Sequence, residues 1–375
     1  MLIGVPRETH RHEHRVGLTP LAVARLAEGG HAVFVQRDAG LAAHFTDSEY
    51  RRAGAEIIYS SEEVYKRADL VCRVGSLFID ELNLLKPGST VCAFHHLALA
   101  SRETIDRFAE LEITAIGYEL IEDERGERPV LVPLSEIAGQ MAVYLAAHYL
   151  QSESAGRGIL MGDAPGIAPP TVLILGAGNV GRTAALRALA CGAHVVVVDK
   201  DMHKLRLLDR ETRGQAVTVL APLEPLERLT AIADVVIGAV LDPGAPAPVL
   251  VTEEMVTAMR PGSVIIDLAI DQGGCVETSR PTTLGDPTFV VHDVVHYCVP
   301  NMTANVARTA SRALARAVIP LLLDLVGKGL ERVVRDIPGF AAGVYVYKGK
   351  LVNEQVAAVL RVDSTPLPQV VDAVA

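Results

Sequence analysis

The sequence predicts an α/β protein of two domains, each built on a mostly parallel sheet. Three observations predict it. Short runs of β-branched apolar residues alternate with helical patterns along most of the chain, and strands separated by helices imply crossovers and a parallel sheet. The apolar mass is Ala, Val, Leu and Ile, because half the residues are hydrophobic while only 4% are aromatic and there is no Trp, a composition suited to packed α/β layers. The alternation stops once, at the Gly/Pro-rich stretch SAGRGILMGDAPGIAPP, and then resumes; a length of 375 residues also fits two domains better than one.

The elements follow in order. MLIGVP reads as a first strand, PLAVARLAEG as a helix and HAVFVQ as the next strand. DLVCRV, STVCAFH and ITAIGYE are later strands with helical segments between them. Ser135 reads as an N-cap before EIAGQMAVYLAAHYLQ, in which Ile137, Met141, Leu145 and Tyr149 recur every four positions. The second unit runs through TVLILG, HVVVVD, DVVIGAV, SVIIDLAI and FVVHD. From Asn301 a helical pattern extends through RTASRALARAVIPLLLDLV, and Pro320 is expected to kink it.

A net charge of −10 and a pI near 5.7 argue against nucleic acid as a main partner, since phosphate binding wants a basic surface. Five cysteines, an odd count with no CxxC, point to neither a disulfide framework nor structural zinc. MLIGVPRETH lacks the apolar core of a signal peptide and no apolar run reaches membrane-span length, so a cytoplasmic protein with no membrane partner is expected. His10, His12 and His14 alternate in THRHEHR, but without paired ligands elsewhere no metal site is expected.

The sharpest signal is VLILGAGNVGRTAALRALACGAHVVVVDKD. Gly176, Gly178 and Gly181 form G-x-G-x-x-G directly after a strand and before a helix. The first glycine permits the tight turn, the second brings backbone close to a pyrophosphate, and the third lets helix and strand pack. The N–H groups of this loop and helix start, including Asn179 and Val180, are expected to face the phosphates. Asp199 ends the next strand, 23 residues beyond Gly176, where a carboxylate can accept from the ribose 2′-OH. A bare G-x-G-x-x-G is weak, but the strand–turn–helix–strand–Asp context predicts a dinucleotide. Asp199 favours NAD by repelling the 2′-phosphate of NADP, while Lys200 beside it leaves the alternative open.

Ligands in open parallel sheets sit outside the carboxyl ends of strands. His96 follows one such strand, Asp271 follows SVIIDLAI, and Arg15 lies in EHRVGLTP beyond the first strand. Singly, each has an ordinary explanation: a satisfied core histidine, a cap, a surface arginine. Together they suggest an acid/base pair with a carboxylate clamp, for which arginine offers a bidentate fork. His95, which would point to the other face, is read as structural.

The motifs holding these residues resemble those of the alanine dehydrogenase family, which includes the nucleotide-binding part of proton-pumping transhydrogenase. IGVPRE, EHRVGLTP, FHHLA, PLSEIAG, GRGILMGDAPG, GAGNVG, IGAVLDPGAPAP, DLAIDQGGCVETSRPTT and YCVPNM carry the resemblance, from residue 2 to near residue 360. It implies two Rossmann-like domains with a cleft between them. The catalytic domain would be discontinuous, residues 1–130 and 307–375, with an NAD-binding domain at 131–306. It implies NAD as cofactor and a homo-oligomer, commonly a hexamer. It further implies that Arg15 holds the substrate carboxylate, that His96 is the acid/base, and that Asp271 helps to activate water and the amine. Ser135, Asp199, Lys204, Leu241, Asn301 and Met302 fall where the family lines the cofactor or the catalytic cleft. Hydride would pass from the substrate Cα to C4 of nicotinamide, water would add to the imine, and ammonia would leave a 2-oxo acid.

Three departures from the family pattern stand out. The family's lip K-V-K-E-P, whose second lysine touches the substrate, reads Arg73-Val74-Gly75-Ser76-Leu77 here. The run N-M-P-x-x-V-P becomes NMTANVA, with Thr303 and Ala307 in place of prolines, and Asp163 replaces a hairpin glycine. With glycine at 75, Arg73 is the remaining expected cation at the lip. The expectation is an NAD-dependent dehydrogenase of a small L-amino acid, by default L-alanine, giving pyruvate and ammonia reversibly. One alternative is a dehydrogenase or imine reductase whose larger substrate fills the room of the missing lysine. The other is a non-catalytic NAD-binding module, which would keep the glycine loop but has no need of His96, Asp271 and Arg15 together.

Overall fold

A computed structural model describes residues 1–222, 225–240 and 247–372. In chain order its strands are β1 (Leu2–Val5), β2 (Ala32–Gln36), β3 (Glu56–Ile58), β4 (Leu70–Cys72), β5 (Thr90–Ala93), β6 (Thr114–Gly117), β7 (Thr171–Leu175), β8 (His194–Asp199), β9 (Val217–Leu220), β10 (Val235–Gly238), β11 (Val264–Asp267), β12 (Thr288–Val291), β13 (Val294–Tyr297), β14 (Val344–Tyr347) and β15 (Lys350–Leu351). The chain divides into two compact units, Met1–Leu134 with Ala304–Ala375, and Ser135–Thr303.

The first unit holds an eight-stranded sheet in the order β15-β14-β6-β5-β4-β1-β2-β3. From β6 to β3 every neighbour is parallel, while β14 runs antiparallel to β6 and β15 to β14. Leu70, Val71 and Cys72 are all buried, as expected of a short central strand covered on both faces. Thr19 caps the helix Pro20–Glu28, accepting from the Ala22 N–H at 3.5 Å, and Pro20 takes the first helical position, where its missing N–H has no partner to lose. The helix Ala307–Lys328 belongs to this unit and runs unbroken through Pro320, burying Ala310, Leu314, Val318, Leu322 and Leu325.

The second unit holds a seven-stranded sheet in the order β12-β13-β11-β10-β7-β8-β9, parallel except for β12 against β13. The helix Leu131–Tyr149, in which the chain passes from the first unit to the second, corrects the expected N-cap at Ser135. The helix starts four residues earlier, where the Leu131 and Val132 N–H groups donate to the Arg128 carbonyl. Pro133 sits in the first turn, where a helix tolerates it, and Ser135 lies inside the helix.

Each sheet has a strand from which successive crossovers leave in opposite directions. In the first it is β1, between β2 and β4; in the second it is β7, between β8 and β10. The crevice at the carboxyl end of such a strand is where α/β folds bind ligands. Among the described residues no helix is long and apolar enough to cross a membrane.

Candidate active site

In the first unit, three neighbouring strands deliver polar groups at their carboxyl ends. The segment beyond β1 carries Glu8, His10, Glu13 and Arg15, β4 leads into the lip at 73–77, and β5 leads to His96. Arg15 is buried, and its Nε and Nη2 donate to the two carboxylate oxygens of Glu13 at 2.8 and 2.6 Å. The Val16 N–H donates to Ser311 Oγ at 3.1 Å, which ties this segment to the helix Ala307–Lys328.

Arg73 does not serve the role expected of it. Its side chain is 0% exposed, with Nη2 on Glu8 at 3.0 Å and Nη1 on Glu81 at 2.9 Å and on the Tyr65 hydroxyl at 2.8 Å. Burial works against its charge, but Glu8, then Tyr65 and Glu81, outweigh it and hold the guanidinium above its ordinary pKa. It is a core ion pair, shut away from any substrate. Glu8 also fixes the lip, accepting from the N–H groups of Val74 at 2.6 Å and Gly75 at 3.2 Å. His10 completes the strap: its Nε2 lies 2.8 Å from the Ser76 carbonyl oxygen and its ring packs 4.1 Å from that of Phe78. A Cβ added at Gly75 would stand 3.1 Å from His10 Cδ2. The imidazole therefore already occupies the room beside the glycine.

His96 has left-handed backbone, φ 47°, and a side chain 60% exposed. Its N–H donates to Glu119 Oε1 at 2.6 Å, the Tyr345 hydroxyl donates to the same oxygen at 2.9 Å, and His96 Nδ1 lies 3.9 Å from it. Glu119 is thus a buried acceptor that holds the conformation of the histidine. In the sequence its only signal is a carboxylate just past the end of the strand ITAIG, which pairs with β5, and Glu119 is not among the residues expected at the site. His95 points into the core, edge-on to the rings of Phe108 and Tyr345, and burial pushes its pKa down.

In the second unit, the glycine-rich loop joins β7 to the helix Asn179–Ala190, with Gly178 as N-cap. Each glycine has a visible reason. Gly176 sits at φ 104°, and a Cβ there would meet the Ala239 carbonyl oxygen at 2.5 Å; at Gly181 it would collide with the Gly176 carbonyl oxygen at 1.8 Å. At Gly178 a Cβ would meet nothing within 4 Å, so that position is open rather than packed, as a cradle for a phosphate requires. Asn179 and Val180 begin the helix, whose free N–H groups and dipole favour an anion. Asp199 ends β8 and accepts from the Ala177 N–H at 2.6 Å and the Asp201 N–H at 2.7 Å, strapping the loop to the strand.

The remaining expected residues are distributed around the same unit. Lys204 is exposed on the helix Met202–Thr212, Ser135 is half-buried, and Met302 is buried. Asn301 has left-handed backbone and its Oδ1 accepts from Thr303 Oγ1 at 3.4 Å. Asp271 is exposed on the 3-10 turn Ile270–Gln272 beyond β11. Leu241 lies outside the described residues. Among the described residues no group of three or more His, Cys, Asp or Glu could hold a metal ion.

Two family models match this chain: alanine dehydrogenase/PNT, N-terminal domain, over residues 4–138, and alanine dehydrogenase/PNT, C-terminal domain, over residues 142–354. The chain belongs to the alanine dehydrogenase/PNT family. Alanine dehydrogenase of Mycobacterium tuberculosis (strain H37Rv) is 42% identical over 365 residues, 97% of this chain and 98% of that one. Alanine dehydrogenase of Halomonas elongata is 43% identical over 358 residues, 95% of this chain and 96% of that one. A solved L-alanine dehydrogenase matches with a TM-score of 0.91 at 38% identity, covering 96% of this chain and 99% of its own. A transhydrogenase from Sinorhizobium meliloti matches at 0.79 and 27% identity, over 94% and 99%. The α/β family fold, with mostly parallel sheets, is the one the sequence led us to expect.

Proposed function

We propose that this family member is an NAD-dependent alanine dehydrogenase: L-alanine, NAD⁺ and water are converted reversibly to pyruvate, ammonium, NADH and a proton. The observation that carries the reading is the 42% identity to an alanine dehydrogenase over 97% of the chain. The residues fit the cofactor: the open backbone at Gly178, the start of the helix Asn179–Ala190 and the carboxylate of Asp199 suit a pyrophosphate and an adenosine ribose. Bound NAD supplies the hydride acceptor.

The chain's own groups do the rest. Arg15, whose Nε and Nη2 hold the Glu13 carboxylate in this structure, takes the substrate carboxylate in its place through the same guanidinium fork. His96, exposed at a strand end and fixed by Glu119, takes a proton as the amine is oxidised and as water adds, and returns one to the leaving ammonia. Asp271 accepts from the water that attacks the imine. Arg73 plays no part in binding, because Glu8 and Glu81 enclose it. A small substrate suits the lip, since His10 fills the room beside Gly75 that a larger one would need. A cytoplasmic location and assembly as a homo-oligomer, hexameric as is common in the family, go with this reading. The test is stoichiometry: L-alanine-dependent NADH formation should be matched mole for mole by pyruvate and ammonia. NADH binding without any amino-acid turnover would instead mark a binding module.

A further inference from the structure

We propose that Asp267 is the positioning residue of the catalytic turn, its buried carboxylate pinning both feet of the loop that presents Asp271. Asp267 is the last residue of β11 and is 1% exposed. Its Oδ1 accepts from the Ala269 N–H at 3.0 Å, immediately before the turn Ile270–Gln272. Its Oδ2 accepts from the N–H groups of Cys275 at 3.0 Å and Val276 at 3.3 Å, just past the two glycines, Gly273 and Gly274, that follow the turn. The Cys275 thiol lies 3.5 Å from Oδ1. One side chain thus joins the two ends of a loop whose exposed crown is Asp271.

The surrounding sequence is shaped to admit this carboxylate. A Cβ at Gly274, which has φ 85°, would stand 2.9 Å from Oδ2. A Cβ at Gly238, on the neighbouring β10, would stand 3.0 Å from Oδ1 and 2.4 Å from Cys275 Sγ. The turn has bonds of its own, Gln272 and Gly274 N–H to the Ala269 carbonyl at 2.8 and 3.0 Å and Gly273 N–H to Ile270 at 3.1 Å, so it could close without a buried acid. Placing a carboxylate in the core is unfavourable unless several donors meet it, and here donors from both flanks do. What the carboxylate adds is a fixed orientation for the crown. Bonds to an ionised group are stronger than neutral ones, and a reacting group misplaced by 1 Å can lose on the order of 10²-fold in rate.

This inference rests on the dehydrogenase reading of Asp271, and the experiment separates the two. Asp267→Asn, Asp271→Asn and the double variant are compared for kcat, NADH affinity and exchange of the amides of Ala269, Cys275 and Val276. Asp267→Asn sets an amide donor against N–H donors, so those amides should lose protection and kcat should fall on the order of 10²-fold, with NADH affinity kept. Because Asp267 acts through Asp271, the double variant should be no slower than Asp271→Asn alone. A multiplicative loss, or a normal kcat in Asp267→Asn, overturns the proposal. A general structural role would lower NADH affinity in step with kcat. A wild type that turns over no amino acid removes the dehydrogenase reading, while the amide exchange still reports whether the carboxylate holds the turn. Should Asp267→Asn fail to fold, Gly274→Ala displaces the carboxylate while leaving it present, and is held to the same kcat and double-variant criteria.

Discussion

At the scale of single residues, charge is decided by partners that the sequence does not place side by side. Arg73 looked available at a strand end, yet Glu8 lies 65 positions away and Glu81 eight, and together they enclose it. His96 shows the opposite case, an exposed ring on a conformation set by a buried acid. His96→Ala should lower kcat by about 10²–10⁴-fold, the usual contribution of a general acid–base group, while NADH still binds; a normal kcat would remove His96 from the chemistry. Gly75 gives a second test. Its backbone is not in the left-handed region, and the tightest contact a Cβ there would make is with the His10 ring at 3.1 Å, with Glu8 Oε2 next at 3.5 Å. Gly75→Lys alone should destabilise by about 1–3 kcal/mol through overpacking and gain little with pyruvate. Joined to His10→Ala, it should recover stability, and a new charge-assisted bond worth about 1.5–3 kcal/mol should raise kcat/KM for pyruvate roughly 10- to 100-fold. Equal stability of the single and double variants would show that His10 does not fill that space.

At the scale of elements, periodicity made most strands and the glycine loop legible, because buried parallel strands are continuous apolar runs. The start of the helix Leu131–Tyr149 was not legible, since Ser135 reads as an N-cap although it lies inside the helix, two residues after a proline that the first turn accommodates. The hairpin β14–β15 was also missed. Val344 to Tyr347 alternate as a strand should, but the turn is Lys348-Gly349, with φ 45° and 78°, and lysine is not the residue that usually marks a turn with two positive φ angles. The glycine loop separates packing from binding. Gly181→Ala drives a Cβ into the Gly176 carbonyl, so thermal stability and NADH affinity should fall together. Gly178→Ala meets only open space, so stability should hold while the added methyl blocks the pyrophosphate and weakens NADH binding. Calorimetric melting and NADH titration of both variants check this, and a Gly178→Ala protein that binds NADH normally would move the phosphate site elsewhere.

At the scale of the whole molecule, each unit contains a buried histidine whose pKa is lowered by loss of hydration, His95 in the first and His296 in the second. The unfolded chain binds protons at these rings near pH 6.5, while the folded chain resists doing so. The stability they contribute is therefore complete above that value and is lost as pH falls below it. The denaturation midpoint should stay level from about pH 8 to about pH 7 and decline toward about pH 5.5; a midpoint rising through that acid range would contradict the burial of these rings. The two-unit architecture and the cofactor half could be read from sequence motifs, whereas the identity of the substrate turns on a lip where the family pattern is broken. Its most direct test is kcat/KM of the unmodified protein with NAD across L-amino acids of increasing side-chain length. The highest value should belong to L-alanine, with a fall as the side chain grows. A larger amino acid ahead of alanine would contradict the account and show that the lip at Gly75 and His10 admits a different substrate.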